Sequence, residues 1–140
     1  MRYTQIMWKK EVILLLAILA LGAFFRFYHI TVTPPGLYPD EAMNGSNGLE
    51  ALHTGHFAVF YPDNNGREGL FINIQAISVW LFGREAWALR IISAIFGTLT
   101  ILGVYLAAKE LFKDAAVALL PAFFIATSYS LILNIYDWEK

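Results

Sequence analysis

Long apolar runs free of Asp, Glu, Lys and Arg alternate along this chain with short polar stretches. The first run covers residues 12–25 and continues past Arg26 through Phe27, Tyr28 and Ile30. A helix that crosses the hydrocarbon needs about 20 residues. Residues 12–31 supply that length if Arg26 snorkels to the outer interface among Phe24, Phe25, Phe27 and Tyr28. A cleaved signal peptide is the rival, but large aromatics and Arg26 stand where a cleavage site would want small residues. Two further runs, 91–108 and 115–136, flank the link Lys109-Glu110-Leu111-Phe112-Lys113-Asp114 and predict an antiparallel helical hairpin. Pro121 interrupts the last run, which a membrane helix tolerates.

A fourth apolar stretch, 70–82, is short for a span and carries Asn73 and Gln75. If it does not cross, Lys9, Lys10, Lys109 and Lys113 all fall on one side, as the positive-inside rule prefers. It therefore reads as a juxtamembrane helix in the outer interface, with Trp80, Phe82 and Trp87 at headgroup depth. The pattern predicts an all-α polytopic membrane protein with three transmembrane helices, four being the alternative. The spans are 12–31, 87–108 and 115–136. The outer loop is 32–86, with short juxtamembrane helices including one at 68–82. The N-terminus is expected in the cytoplasm and the loop on the outer, periplasmic side of the plasma membrane.

Composition agrees with this. Of 140 residues, 58% are hydrophobic and 15% charged, against about a quarter charged in ordinary soluble domains. A net charge of −1 advertises no nucleic-acid partner. Without cysteine there is no disulfide framework, thiol nucleophile or zinc knuckle.

The scarce charge gathers in the outer loop, which holds Asp40, Glu41, Glu50, Asp63, Glu68 and Glu85 as well as His53 and His56. Pro34-Pro35-Gly36 stops the first helix. Leu37-Tyr38-Pro39 leads into Asp40-Glu41 at the start of a short helix that ends near Gly55. Two acids in a first turn suit the helix dipole. The same position also holds a carboxylate just outside the bilayer, ready to deprotonate an acceptor hydroxyl. Tyr61-Pro62-Asp63-Asn64-Asn65-Gly66 is a turn, followed by Arg67 and Glu68 where the loop returns to the membrane. Arg67 can anchor the interface or meet a lipid phosphate. Tyr61, which opens the turn, is grouped with Arg67 and Glu68 as a substrate-binding candidate. Asp40, Glu41, His53, His56 and Glu68 are metal-ligand types, and the two histidines could share a helix face. They have no recognised metal spacing, so a divalent metal stays possible and no cofactor is certain. Asn44-Gly45-Ser46 fits the glycosylation acceptor pattern, but glycan there would block the neighbouring acids.

Taken in order, these segments resemble a family. Tyr38-Pro39-Asp40-Glu41-Ala42 follows a first membrane helix. Gly66-Arg67-Glu68-Gly69-Leu70-Phe71 opens an interfacial helix that ends in Leu81-Phe82-Gly83. Ala88-Leu89-Arg90-Ile91-Ile92-Ser93-Ala94-Ile95-Phe96-Gly97 and Tyr105-Leu106-Ala107-Ala108-Lys109-Glu110-Leu111-Phe112 come next. The chain resembles the start of the GT-C membrane glycosyltransferases, in the bacterial branch related to protein O-mannosyltransferases and the aminoarabinose transferases of lipid A. The resemblance runs from about Trp8 to Asn134.

It implies transfer of a sugar from a polyprenyl-phosphate donor to a lipid or protein acceptor hydroxyl outside the membrane. Asp40 then matches the general base with Glu41 beside it, and Arg67 matches a basic position near the carrier phosphate. Glu68 is a second polar contact. Gly69 stands where family members often have a proline that stiffens the turn. Members of the family are several times longer, so the sequence reads as an N-terminal fragment or truncated product that supplies the catalytic first loop. A non-catalytic small membrane subunit is the alternative.

Overall fold

The computed structural model describes residues 2–32, 35–63 and 65–136, with side chains described only between 9 and 128. Pro34 of the expected helix stop and Asn64 of the expected turn lie outside the described residues. Five helices and one two-stranded hairpin are present among the described residues. In order they are α1 (Arg2–Phe27), α2 (Pro39–Thr54), β1 (Phe60–Tyr61), β2 (Arg67–Glu68), α3 (Gly69–Phe82), α4 (Ala86–Phe112) and α5 (Ala115–Tyr136). They fall into two compact units, one of Met1–Tyr28 with Ala94–Lys140 and one of His29–Ser93.

In the helical unit α5 presents a small-residue stripe, Ala118, Ala122 and Ala126, one per turn and fully buried. Such a stripe lets helix backbones approach closely, which is how membrane helices associate when no hydrophobic drive separates protein from lipid. Ile101, Tyr105 and Ala108 of α4 complete the core, with Leu15, Ile18 and Leu19 of α1 packed on it. Helix α1 runs antiparallel to α4. Glu11 at one end accepts from Tyr105 and Lys109, while Gly22 lies against Ile101 and Arg26 against Gly97. Asp114 opens α5 by accepting the N–H groups of Ala116 (2.8 Å) and Val117 (3.2 Å).

Arg26 does not snorkel. It is 8% exposed and donates to the carbonyls of Gly22 (3.0 Å), Ile125 (3.0 Å) and Ala126 (3.4 Å). Gly22 and Gly97 leave the space its side chain fills; a Cβ on Gly97 would stand 2.8 Å from the Arg26 Nε. Helix α1 also stops earlier than the expected span: residues 28–32 are turn, with His29 at φ 55°. Among the described residues α4 is long and apolar enough to cross a membrane, while α3 and Ala115–Ser128 are shorter apolar helices. The described part of α1 carries Lys9, Lys10, Glu11 and Arg26, so its apolar stretch is bounded by charge at both ends. Large exposed side chains such as Ile13, Leu16, Leu99, Leu106 and Phe124 cover the outside of this unit. An exposed apolar surface of that kind needs lipid or protein against it.

In the loop unit α2 and α3 pack on each other. Asn44, Asn47, Gly48 and Ala51 form the buried face of α2 at helical spacing. Gly48 sits on Ala76, where an added Cβ would be 3.2 Å from the Ala76 Cβ. The first turns of α4 belong to this unit. Gln75 Nε2 donates to the Leu89 carbonyl (3.1 Å) and Ser78 Oγ to that of Ala88 (2.6 Å), so polar α3 residues find partners inside.

Candidate functional site

The start of α2 carries both acids, and the chain delivers an arginine to each. Pro39 at the first helical position suits its missing N–H. Glu41 turns back so that its Oε2 accepts the Tyr38 backbone N–H at 3.2 Å, which satisfies a group that precedes the first turn. The same carboxylate is gripped by Arg90, with Nε to Oε1 at 3.3 Å and Nη2 to Oε2 at 3.1 Å. Arg90 also donates to the Gly36 carbonyl. Its side chain is 9% exposed and that of Glu41 30%. Glu41 is thus a two-point anchor between α2 and the start of α4.

Asp40 faces another way. Its Oδ1 lies 3.0 Å from Arg67 Nη2, and 63% of its side chain is exposed. Arg67 Nη1 donates to the Oδ1 of buried Asn44 at 3.2 Å. Asn44 therefore holds the arginine from inside α2, a burial at odds with glycosylation.

The hairpin sets where Arg67 stands. Tyr61 pairs with Arg67 and Phe60 with Glu68 in an antiparallel register. Asn65 (φ 68°) and Gly66 (φ 83°) take the left-handed conformations that turn the chain. Tyr61 is buried, and its hydroxyl donates to Asn73 Oδ1 at 2.8 Å. Asn73 Nδ2 in turn donates to the Ala58 carbonyl at 3.0 Å. Glu68 is exposed, directly after Arg67. Gly69 explains its own departure from proline. Its N–H donates to the Val59 carbonyl at 2.7 Å, and an added Cβ would come 1.9 Å from the Ala58 oxygen. Neither feature survives in proline.

Of the residues expected from sequence, Asp40 and Arg67 meet directly, Glu41 and Glu68 flank them in the chain, and Tyr61 pairs with Arg67 across the hairpin. His53 and His56 do not share a helix face: α2 ends at Thr54, and Gly55 (φ 71°) turns the chain before His56. Among the described residues no three His, Cys, Asp or Glu side chains converge on a possible metal position. The sequence does not reveal Arg90 and Asn44 as the partners of Glu41 and Arg67. An arginine interrupting an apolar run is a signal of a polar partner, but its partner, 49 residues away, is not.

Residues 70–136 match the family model of dolichyl-phosphate-mannose-protein mannosyltransferases. That segment is similar to the GT-C mannosyltransferases. The GT-C match takes in α3, α4 and α5 and begins just after Arg67, Glu68 and Gly69. It supports a membrane glycosyltransferase that uses a lipid-linked sugar donor, and leaves Asp40, Glu41, Tyr61, Arg67 and Glu68 to be judged on geometry. No curated protein and no solved structure matches the chain.

Proposed function

We propose that this chain supplies the first outer loop and adjoining spans of a GT-C transferase that moves a sugar from a polyprenyl-phosphate carrier to an acceptor hydroxyl. In this reading α1, α4 and α5 cross the membrane and α3 lies at the outer surface. The antiparallel packing of α1 on α4 supports three spans. A crossing α3 would make α1 and α4 run the same way. The arrangement puts Glu11 and Lys109 at one end, where the neighbouring basic residues favour the cytoplasm.

The observation that carries the proposal is the exposed Asp40–Arg67 pair beside a Glu41 already committed to Arg90. Asp40 accepts the proton of the acceptor hydroxyl as its oxygen attacks the anomeric carbon. The bond from that carbon to the carrier phosphate breaks, and Arg67 donates to the departing phosphate oxygens. A guanidinium has five N–H donors, so Arg67 can keep Asn44 while engaging phosphate. The phosphate competes with Asp40 for the guanidinium and so frees the carboxylate as the donor arrives. Glu68 supplies a further polar contact to substrate. Glu41 and Tyr61 are positioning residues, one fixing α2 and the other the hairpin.

The test is sugar transfer from a polyprenyl-phosphate donor in membranes that contain the protein. Asp40→Asn should lower kcat by about 100-fold or more, the usual worth of a general base. Arg67→Ala should weaken use of the donor more than of the acceptor. Full activity in Asp40→Asn would remove Asp40 as the base, and equal effects on both substrates would remove the phosphate role of Arg67.

A further inference from the structure

At the other end of α2 the loop unit has a second feature that the transferase reading does not use. Leu49, Leu52 and His53 of α2 face Val79 and Trp80 of α3 and Arg84 across an open groove of about 230 Å³. Its walls are apolar, and its polar lining is the contact between Arg84 Nη2 and His53 Nε2 at 3.1 Å. Arginine only donates, so in this contact the imidazole Nε2 is the acceptor. The guanidinium is exposed and keeps other N–H groups for a ligand. Trp80 is 71% exposed, and Leu81 (60%) and Phe82 (48%), which follow it in α3, are exposed as well.

We propose that this groove binds one anionic phospholipid, with an acyl chain along Leu49, Leu52, Val79 and Trp80 and the phosphate on Arg84, which His53 holds at the mouth. The occupant follows from complementarity. A cation at the mouth of an apolar groove selects an anion that carries an apolar chain. A zwitterionic headgroup would bring a positive group to the same guanidinium. Glu85, the adjacent acid, does not line the groove. The site is separate from Asp40: His53 stands thirteen positions further along α2, about 20 Å at helical rise. The proposal does not depend on transferase activity, because its readout needs no sugar donor.

The experiment is native mass spectrometry of the full chain in detergent with equal amounts of phosphatidylglycerol and phosphatidylcholine. One phosphatidylglycerol should be retained per chain, about fivefold or more over phosphatidylcholine, the ratio expected from about one kcal/mol. Arg84→Gln should bring the two lipids level, and Arg84→Lys should restore part of the preference, since an ammonium keeps the charge but not the fork. Leu52→Trp should fill the groove and lose retention with the guanidinium intact, which tests the site independently if Arg84→Gln does not fold. Equal retention of the two lipids by the natural chain would overturn the proposal. So would unchanged retention in both Arg84→Gln and Leu52→Trp, or displacement of the lipid by inorganic phosphate, by polyprenyl phosphate or by a second copy of the chain.

Discussion

In the helical unit Arg26 donates to the carbonyls of Gly22, Ile125 and Ala126. In the loop unit Arg67 and Arg90 donate to the carboxylates of Asp40 and Glu41. Each solution suits its surroundings. Among apolar helices a guanidinium can be satisfied by carbonyl dipoles that the backbone already supplies, provided small residues leave room for it. In the loop, carboxylates are available and water is near. The loop then divides the work between two pairs. Arg90 is 9% exposed and grips Glu41 at two points, whereas Arg67 is 29% exposed and its Asp40 partner 63%. A buried pair builds the loop beside a more exposed one, the pair to which the proposed reaction gives the substrate phosphate.

The sharpest way to break this division is to remove the buried pair. Arg90→Gln should lower stability by about 2–4 kcal/mol, near the cost of breaking a buried ion pair and reduced because Glu41 can rehydrate. Asp40→Asn should shift stability by less than about 1 kcal/mol, as an exposed pair does. Thermal unfolding in detergent, read on both variants, checks the contrast; equal losses would show that the two pairs carry the loop alike. Next in size is Gly97→Leu, which drives a side chain into the space of Arg26. Overpacking of this kind costs about 1–3 kcal/mol. An unchanged melting temperature would show that Arg26 can leave its carbonyls freely, so that its burial does not hold the helices together.

Much of the helical layout was legible in the pattern of apolar positions. α5 begins and ends where the last run does, and α3 keeps its expected end at Phe82. These follow from local periodicity, from a polar link before α5 and from Gly83 after α3. What escaped depends on distant packing. Arg26 reads as a snorkelling residue until Gly22 and Gly97 are seen beside it, because a glycine carries no mark of what fills the space it leaves. The hairpin has two residues per strand, too few for an alternating pattern, although its turn was visible. Asp40-Glu41 was visible as a pair, but not the divergence of its members: adjacent positions on a helix point about 100° apart, and the two arginines come from different elements.

Tyr61 offers the smallest and finest test. The sequence grouped it with Arg67 and Glu68 at the substrate, while its ring is buried and its hydroxyl donates to Asn73. A buried hydrogen bond of this type contributes about 1 kcal/mol. Tyr61→Phe keeps the ring and removes that bond, so stability should fall by about 1 kcal/mol, with the donor KM unchanged in the surviving folded protein. The two readouts separate the roles. A positioning residue lowers the melting temperature and leaves KM alone. A substrate contact raises KM whatever the melting temperature does, and that result would move Tyr61 from the frame of the hairpin to the surface where Arg67 works.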